Sequence, residues 1–298
     1  MVHRRRRPVA ARRRRAGRRL CRRRRGADPG TGGHRGPVAV PRPPPRRDHH
    51  RSVDVPAATR TRCAAYAGRR GGGGGDPAGG AVIPRARSPR SLLVVAPHAD
   101  DETIAAYTLL SRLRRRGVLT RVIVVSDGAA SHPSSPMWPR DRLVRERRRE
   151  TRRAMGRIGV HAAAIRFLDL PDSRLFDHAD AVRRHIGRAA RALPAPVLAL
   201  TPSPSDAHPD HRVVAAAARR QAGIAWWTYP VWPAGQRLHG ARSLPLSAQE
   251  RLAKRQAIRS YRTQCGRITD DPSGFAMSPR QIAAFSRPQE VFAPRVGR

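Results

Sequence analysis

An apolar run that breaks off into a histidine and three acids is the feature that most constrains this chain. Residues 92–96 are all apolar, which is typical of a buried strand in a parallel sheet. Residues 102–116 favour a helix that ends at Gly117. His98 and the acids 100–102 are therefore predicted to lie in a strand-to-helix turn. In open α/β sheets, such turns at the carboxyl ends of strands are where ligands bind.

A second cluster of the same kind lies downstream. Residues 205–211 (SDAHPDH) follow the apolar run 197–200 and again precede a helix. Helix capping would explain the acids of one such turn, because a helix N-terminus favours acidic residues, but capping does not require two clusters to converge. Two His/Asp clusters at the same end of two strands can converge in space. Imidazole together with carboxylate suits a catalytic divalent metal such as zinc or ferrous iron.

The order of the segments predicts the fold. Apolar runs alternate with helix-forming segments from Ser91 onward, so we expect an α/β, Rossmann-like fold with a mostly parallel sheet and helices on both faces. The predicted strands are residues 92–96, 118–126, 164–168, 197–200 and 224–231. The predicted helices are residues 102–116, 141–158, 178–193, 210–222, 247–264 and 278–285, followed by an irregular tail.

Composition separates residues 1–88 from a predicted folded domain at 89–298. Residues 1–90 carry 26 Arg against four acids, with Gly- and Pro-rich stretches, so disorder is predicted there. One interpretation is an arm that binds nucleic acid or anionic lipid through charge alone, since no aromatic residue precedes Tyr66. A second interpretation is that this segment is not translated. Lys254 is the only lysine, and we interpret the bias toward Arg as codon usage in a GC-rich genome, which makes a nucleic-acid partner the weaker hypothesis.

Cysteine usage and hydropathy bear on the compartment. The three cysteines are widely separated and form no disulfide framework or thiolate metal motif. The arginine-rich start has no apolar core of the kind that a signal peptide needs, and no run of eighteen apolar residues occurs. We therefore expect a cytoplasmic protein without a membrane span, while the oligomeric state stays open.

The two clusters supply a metal site and the groups for hydrolysis. His98 and Asp101 are three residues apart across a tight turn, and His211 would complete a three-ligand metal site with room for water and substrate. A metal there would lower the pKa of bound water toward neutrality. Asp100 points away from its neighbour in the turn and is the predicted general base.

The second cluster supplies the other half of the chemistry. His208 is predicted to stabilise the oxyanion and to protonate the leaving amine, with Asp210 holding its imidazole in orientation. These parts suit hydrolysis of an amide. Asp127, His132 and Asp172 follow other strands and are candidates for substrate binding. For the two aspartates, a role in ordering their loops is an equally good interpretation. For His132, a solvated loop histidine is the better interpretation.

Four motifs carry a resemblance to a known family. APHADDE, VVSDG, LDLPD and AHPDHR, in this order and spacing, resemble the PIG-L/LmbE-like metal-dependent N-deacetylases, whose signatures are PHPDDE and HPDH. Residues 229–232 and 254–264 extend the resemblance, which covers about residues 91–292.

The resemblance implies a function and a role for each matched residue. It implies that His98, Asp101 and His211 bind zinc, that Asp100 is the base, and that His208 is the acid or oxyanion partner. The implied reaction removes acetyl from an N-acetylglucosamine-type amine. Ala99 replaces the usual Pro of the first signature, and residues 105–108 replace a Gly-rich helix start, where Tyr107 is expected to reshape the pocket.

Two rival functions stay open at this point. The first is an amidase that uses the same metal site on a larger acyl or thiol conjugate. The second, from a different class, is nucleic-acid binding through the arginine-rich arm.

Overall fold

The computed structural model describes residues 88–218 and 222–295. Nearly all of the segment predicted to be disordered, residues 1–88, lies outside these residues. The strands are β1 (Ser91–Ala96), β2 (Leu119–Ser126), β3 (Ile165–Leu170), β4 (Val197–Pro202), β5 (Ile224–Tyr229), β6 (Arg242–Pro245) and β7 (Gln289–Pro294). The helices are α1 (Asp101–Arg115), α2 (Arg140–Gly156), α3 (Ala179–Arg191), α4 (Pro209–Ala217), α5 (Ala248–Arg259) and α6 (Pro279–Phe285).

The seven strands form one sheet in the order β3-β2-β1-β4-β5-β7-β6. The first five strands are parallel, with β1 hydrogen-bonded to β2 on one side and to β4 on the other. The chain therefore winds outward in one direction through β3 and then returns to wind in the other direction through β5. The carboxyl ends of β1 and β4 flank the point where the winding reverses, which is where ligands bind in folds of this type.

Strand β1 shows why helices cover both faces of the sheet. Its side chains alternate between two hydrophobic clusters, as the period of a strand requires. Leu92 and Val94 pack into the cluster that includes residues of α1, α5 and α6, whereas Leu93 and Val95 pack into the cluster with residues of α3 and α4. The predicted α/β fold with helices on both faces is confirmed.

The carboxyl-terminal part of the chain differs from the prediction. The irregular tail was wrong, because β7 pairs antiparallel with β5 and with the four-residue strand β6. The last long helix ends at Arg259 rather than at residue 264, and Arg262–Gln264 form a separate 3₁₀ turn. Helix α4 ends at Ala217, short of the predicted 222, and residues 219–221 lie outside the described part. None of the described helices is long and apolar enough to cross a membrane.

Helix α1 bends at Ala106, whose φ and ψ are −137° and 19°. The bend frees the backbone N–H groups of Thr108 and Leu109, which donate to the Glu290 carboxylate at 2.8 and 2.9 Å. Tyr107 is 5% exposed and packs in the core instead of lining the pocket described below. The expectation that it reshapes this pocket is therefore wrong.

Candidate metal centre and active-site pocket

Three side chains meet at the carboxyl edge of the sheet, where β1 and β4 lie side by side. His98 Nδ1 and His211 Nε2 lie 3.5 and 3.3 Å from Asp101 Oδ2, and the two ring nitrogens are 3.2 Å apart. A tetrahedral zinc with ligands at about 2.1 Å would separate its ligand atoms by about 3.4 Å. The side chains are also largely buried, being 13, 3 and 0% exposed for His98, Asp101 and His211. The residues present thus fit a divalent cation.

Two overlapping sets of side chains also have possible ligand atoms within 4.8 Å of one another: His98 with His208 and His211, and His98 with Asp172 and Asp210. Asp172 Oδ1 and Asp210 Oδ2 lie 3.0 and 3.3 Å from His98 Nε2, which is the ring nitrogen that does not face Asp101 and His211. His208 Nδ1 accepts the backbone N–H of Asp210 at 3.2 Å and so caps helix α4. The set described first is favoured because its three atoms are mutually spaced as one tetrahedral ion requires.

The ring of His211 has a carboxylate behind it. Its Nδ1 lies 3.2 Å from Asp206 Oδ2, although the two atoms are not aligned as a hydrogen bond. Burial alone lowers the pKa of His211, but the charge of Asp101 and the contacts with both aspartates outweigh burial and raise that pKa to about 9. Without metal this ring is therefore positively charged at neutral pH, with a proton on each nitrogen. A metal at Nε2 would have to displace one of these protons.

Asp210 makes a different contact from the predicted one. Its Oδ2 lies 3.3 Å from His98 Nε2, and its carboxylate accepts the backbone N–H groups of Ser173 and Leu175 at 2.8 and 3.1 Å. Only the backbone N–H of Asp210 reaches His208. The reason is that His208 caps the helix, so the side chain in the first turn after it points elsewhere. The prediction that the Asp210 carboxylate orients His208 is corrected: it is placed to orient His98.

Asp100 occupies an unusual backbone conformation at the start of α1, with φ of 130° and ψ of −27°. Its side chain lines the pocket, and the residue is 6% exposed. Burial and the neighbouring Asp101 charge raise the pKa of Asp100 well above its usual value, although Arg147, 4.0 Å away, opposes this. A carboxylate with a raised pKa has the proton affinity that a general base needs.

His208 stands across the pocket, with its ring centroid 4.6 Å from that of His98. Burial, followed by the charges of His98 and His211, lowers the pKa of His208. The pKa of Asp100 is raised, so the two shifts move these values toward each other. The pH range in which Asp100 is deprotonated while His208 is protonated is correspondingly narrow.

The pocket has a volume of about 460 Å³, within the range of small-molecule sites. Trp232 and Phe275 are half-buried on its wall, with ring centroids 5.9 Å apart. Trp226 and Trp227 are instead buried in the core. The Nε2 atom of Gln264, also on the wall, has no hydrogen-bond partner within the described part of the chain.

Of the three predicted substrate-binding residues, only Asp172 reaches this pocket. Asp127 accepts the backbone N–H of Ala129 at 2.9 Å and pairs with Arg140, and so orders its own loop. His132 is 3% exposed and, like Asp127, borders a neighbouring cavity of about 310 Å³. Asp172 borders both cavities, and its Oδ1 lies 3.0 Å from His98 Nε2.

Two residues of the site were missed from the sequence. Asp206 accepts three backbone N–H groups, those of His208, Val231 and Trp232, besides facing His211. Its position two residues before a histidine in a Ser-rich turn was a usable signal. Arg147 lines the pocket at 3% exposure, but in a helix with so many arginines nothing in the sequence distinguishes it.

Residues 93–222 match the family model described as "PIG-L: GlcNAc-PI de-N-acetylase". Residues 93–222 are thus similar to PIG-L family domains. The resemblance carried by the sequence motifs is thereby confirmed, and the matched range spans both turns of the metal site. A search of curated proteins found no match to the chain.

Solved structures share the fold of this chain's α/β domain. N,N'-diacetylchitobiose deacetylase from Pyrococcus horikoshii is 19% identical with a TM-score of 0.54, over 70% of this chain and 84% of that one. The zinc-inhibited form of teicoplanin deacetylase Orf2 is 22% identical with a TM-score of 0.51, over 68 and 97%. The A40926 pseudoaglycone deacetylase Dbv21 is 23% identical with a TM-score of 0.52, over 69 and 96%.

Proposed function

We propose that this protein is a metal-dependent hydrolase that removes the N-acetyl group, or a related acyl group, from an N-acetylglucosamine-type amino sugar conjugate in the cytoplasm. The single observation that carries the proposal is the triangle of His98, Asp101 and His211 atoms with edges of 3.2 to 3.5 Å. The match of residues 93–222 to the family model described as GlcNAc-PI de-N-acetylase supports the same reaction class.

The proposed metal ligands are His98, Asp101 and His211, and the metal is zinc or another divalent cation such as ferrous iron. A bound cation would supply Lewis acidity, which polarises an amide carbonyl and makes water more acidic. Asp172 and Asp210 orient the His98 ring from its far nitrogen, and Asp206 does the same for His211.

Two residues divide the proton transfers in the proposed reaction. Water adds to the amide carbon, and Asp100 takes up the proton that this water loses. In its protonated form, in which Nδ1 no longer accepts the Asp210 N–H, His208 donates a hydrogen bond to the developing oxyanion and a proton to the departing nitrogen, so the C–N bond breaks to give carboxylic acid and free amine. Both residues line the pocket that also contains the proposed ligands His98 and Asp101.

The size of the pocket supports one alternative function. A volume of about 460 Å³ leaves room for an amide larger than an acetyl group, so an amidase acting on a bulkier acyl or thiol conjugate is the second candidate.

Nucleic-acid binding through the arginine-rich arm would be tested by deleting residues 1–88, which should abolish that binding and leave hydrolysis intact.

The test is release of free amine by the purified protein after loading with zinc, ferrous iron or cobalt. N-acetylated amino sugars and matched longer-chain amides are compared as substrates. The His98→Ala variant should lose metal and activity together, while His178→Ala, a histidine outside the pocket, should lose neither. The proposal fails if His98→Ala keeps both metal and activity. Faster turnover of the longer amides would instead favour the alternative.

A further inference from the structure

Glu102 is the one acid of the first turn that the proposed reaction does not use. Glu102 is 0% exposed and does not line the pocket. Its Oε2 accepts the backbone N–H of Asp100 at 3.2 Å, and its Oε1 accepts the hydroxyl of Tyr261 in a short hydrogen bond. Thr103 Oγ1 lies 3.3 Å from Glu102 Oε1 and 3.0 Å from the Tyr261 hydroxyl. A buried carboxylate with this many partners is fixed in place.

Tyr261 reaches this acid from the far end of the chain, just beyond α5. It is 0% exposed, and the 3₁₀ turn that follows it is itself anchored to α2. Thr263 in this turn donates its backbone N–H and its hydroxyl to the Glu150 carboxylate at 3.0 and 2.6 Å. The tyrosine hydroxyl therefore presents a fixed donor to Glu102.

The peptide that joins Ala99 to Asp100 is held at both of its polar atoms. Its carbonyl oxygen accepts a hydrogen bond from Arg147 at 3.0 Å, and its N–H donates to Glu102. This is the peptide that sets φ at Asp100, and φ there is 130°. A residue other than glycine is strained in such a conformation and keeps it only where its surroundings enforce it. Glu102 and Arg147 are those surroundings.

We infer that Glu102 and Tyr261 act as a positioning pair, which holds the Ala99–Asp100 peptide in its strained orientation and so keeps the Asp100 carboxylate in the pocket. The inference rests on the proposed function, because it gives Asp100 its role as base. Neither residue lines the pocket, and within the described part of the chain neither forms a hydrogen bond with the side chain of a proposed ligand. Loss of the pair should therefore slow turnover more than it weakens binding of substrate or metal.

Tyr261→Phe is the first test, because it removes one hydroxyl and leaves the ring in the core. The matched control is Tyr229→Phe, since Tyr229 is equally buried and donates its hydroxyl to the Val95 carbonyl at 2.6 Å. We expect kcat of Tyr261→Phe to fall about 10-fold or more, with KM and metal content within about twofold of wild type, because a misplaced catalytic group costs rate rather than affinity. Tyr229→Phe should keep kcat.

Substitutions of Glu102 give the second test. A glutamine can still accept from Asp100 N–H through its oxygen and donate to Tyr261 through its nitrogen, whereas alanine can do neither. Glu102→Gln should therefore retain most of the turnover that Glu102→Ala loses. Equal and undiminished kcat in both variants would overturn the inference, as would an undiminished kcat in Tyr261→Phe.

A measurement without catalysis separates this inference from the proposed function. Backbone amide exchange of residues 97–104 should be faster in Tyr261→Phe than in Tyr229→Phe, in metal-free protein as well. If wild type hydrolyses no acylated sugar but this exchange difference is found, the proposed function is wrong and the positioning pair stands. If wild type is active but neither kcat nor exchange responds to Tyr261→Phe, the positioning pair is wrong.

Discussion

The two strand-to-helix turns that form the site are held in different ways. The β1–α1 turn depends on distant partners, because Arg147 and the Glu102–Tyr261 pair hold a strained peptide within it. The β4–α4 turn holds itself to a greater extent, since His208 caps the helix through Nδ1 and Asp206 accepts the His208 N–H at 2.9 Å. The first turn is thus sensitive to changes of side chains far away in the sequence. The second turn is held by its own side chains, because Asp206 and Asp210 accept backbone N–H groups from other segments.

This difference matches the chemistry proposed for each turn. Asp100 needs an exact placement relative to the reacting water, and a strained peptide with partners on both sides provides it. His208 has ordinary extended backbone angles, φ −76° and ψ 128°, and needs no such support. The comparison leads to four predictions, given in order of decreasing effect.

The largest effect is expected from the second turn, where His208 and His211 are only three residues apart. His211→Ala should lose metal and fall to the background activity of metal-free protein, because His211 is a proposed ligand. His208→Ala should keep the metal, since its Nδ1 is engaged by the helix. Metal analysis and amine release measure both effects. If His208 were needed for metal and His211 were not, the proposed ligand set would be wrong.

Asp100→Asn should come next, with turnover reduced on the order of 100-fold or more and metal content unchanged, because the amide keeps the shape but cannot accept the proton. In wild type the rate should follow a narrow bell in pH, needing Asp100 deprotonated and His208 protonated. The acid limb should reflect the raised pKa of Asp100, and the alkaline limb the lowered pKa of His208. His208→Ala should flatten the alkaline limb alone. A pH profile of kcat that keeps both limbs in His208→Ala would contradict these roles.

Asp206→Asn and Asp210→Asn compare the support of the two ligand rings. Asp206 faces the His211 ring and accepts three backbone N–H groups, so its loss should weaken metal binding about 10–100-fold. Asp210→Asn should have a smaller effect, because Asp172 also faces the same His98 nitrogen at 3.0 Å. Competition with a chelator measures the affinities, and thermal unfolding without metal controls for stability. A larger loss in Asp210→Asn would reverse the assignment.

The sequence predicted those parts of the fold and site that depend on neighbouring residues. Buried parallel strands are continuous apolar runs, so 92–96 and 197–200 could be predicted as strands, and each is followed by a turn that carries a proposed ligand. The short strand β6, with three of its four residues exposed, has no such pattern, and the pairing of β7 depends on the antiparallel return of the chain. Neither strand could be read locally.

The site residues divide in the same way. The candidate ligands were readable because residue type and position after a strand identify them. Arg147 and the contact of Asp210 were not, because they depend on which side of a helix faces the pocket. Helix α2 contains eight arginines, and only Arg147 among them is buried. An amphipathic pattern made of a single residue type cannot show which of its members lies inside.

The smallest effect concerns the ion pair between α1 and α5. This pair stabilises α1, the helix that follows the first turn. Arg112 donates to both Glu250 oxygens at 2.8 and 2.6 Å, and this contact lowers the pKa of Glu250 to about 2. Because the folded pKa is below the usual value of 4.5, the contribution is present above pH 4.5 and is lost as pH falls toward 2. Because the pair is partly exposed, its contribution to the free energy of unfolding is about 1 kcal/mol.

Glu250→Gln isolates this charge, because the capping box of α5 can be kept by a glutamine. Helix α6 already uses one, with Gln281 accepting the Ser278 N–H at 2.7 Å. We expect unfolding of Glu250→Gln at pH 7 to require about 1 kcal/mol less than that of wild type, with kcat unchanged. The difference should shrink as pH falls below 4.5. Denaturant unfolding at a series of pH values measures it, and a difference independent of pH would mean that packing of α5, rather than the ion pair, was altered.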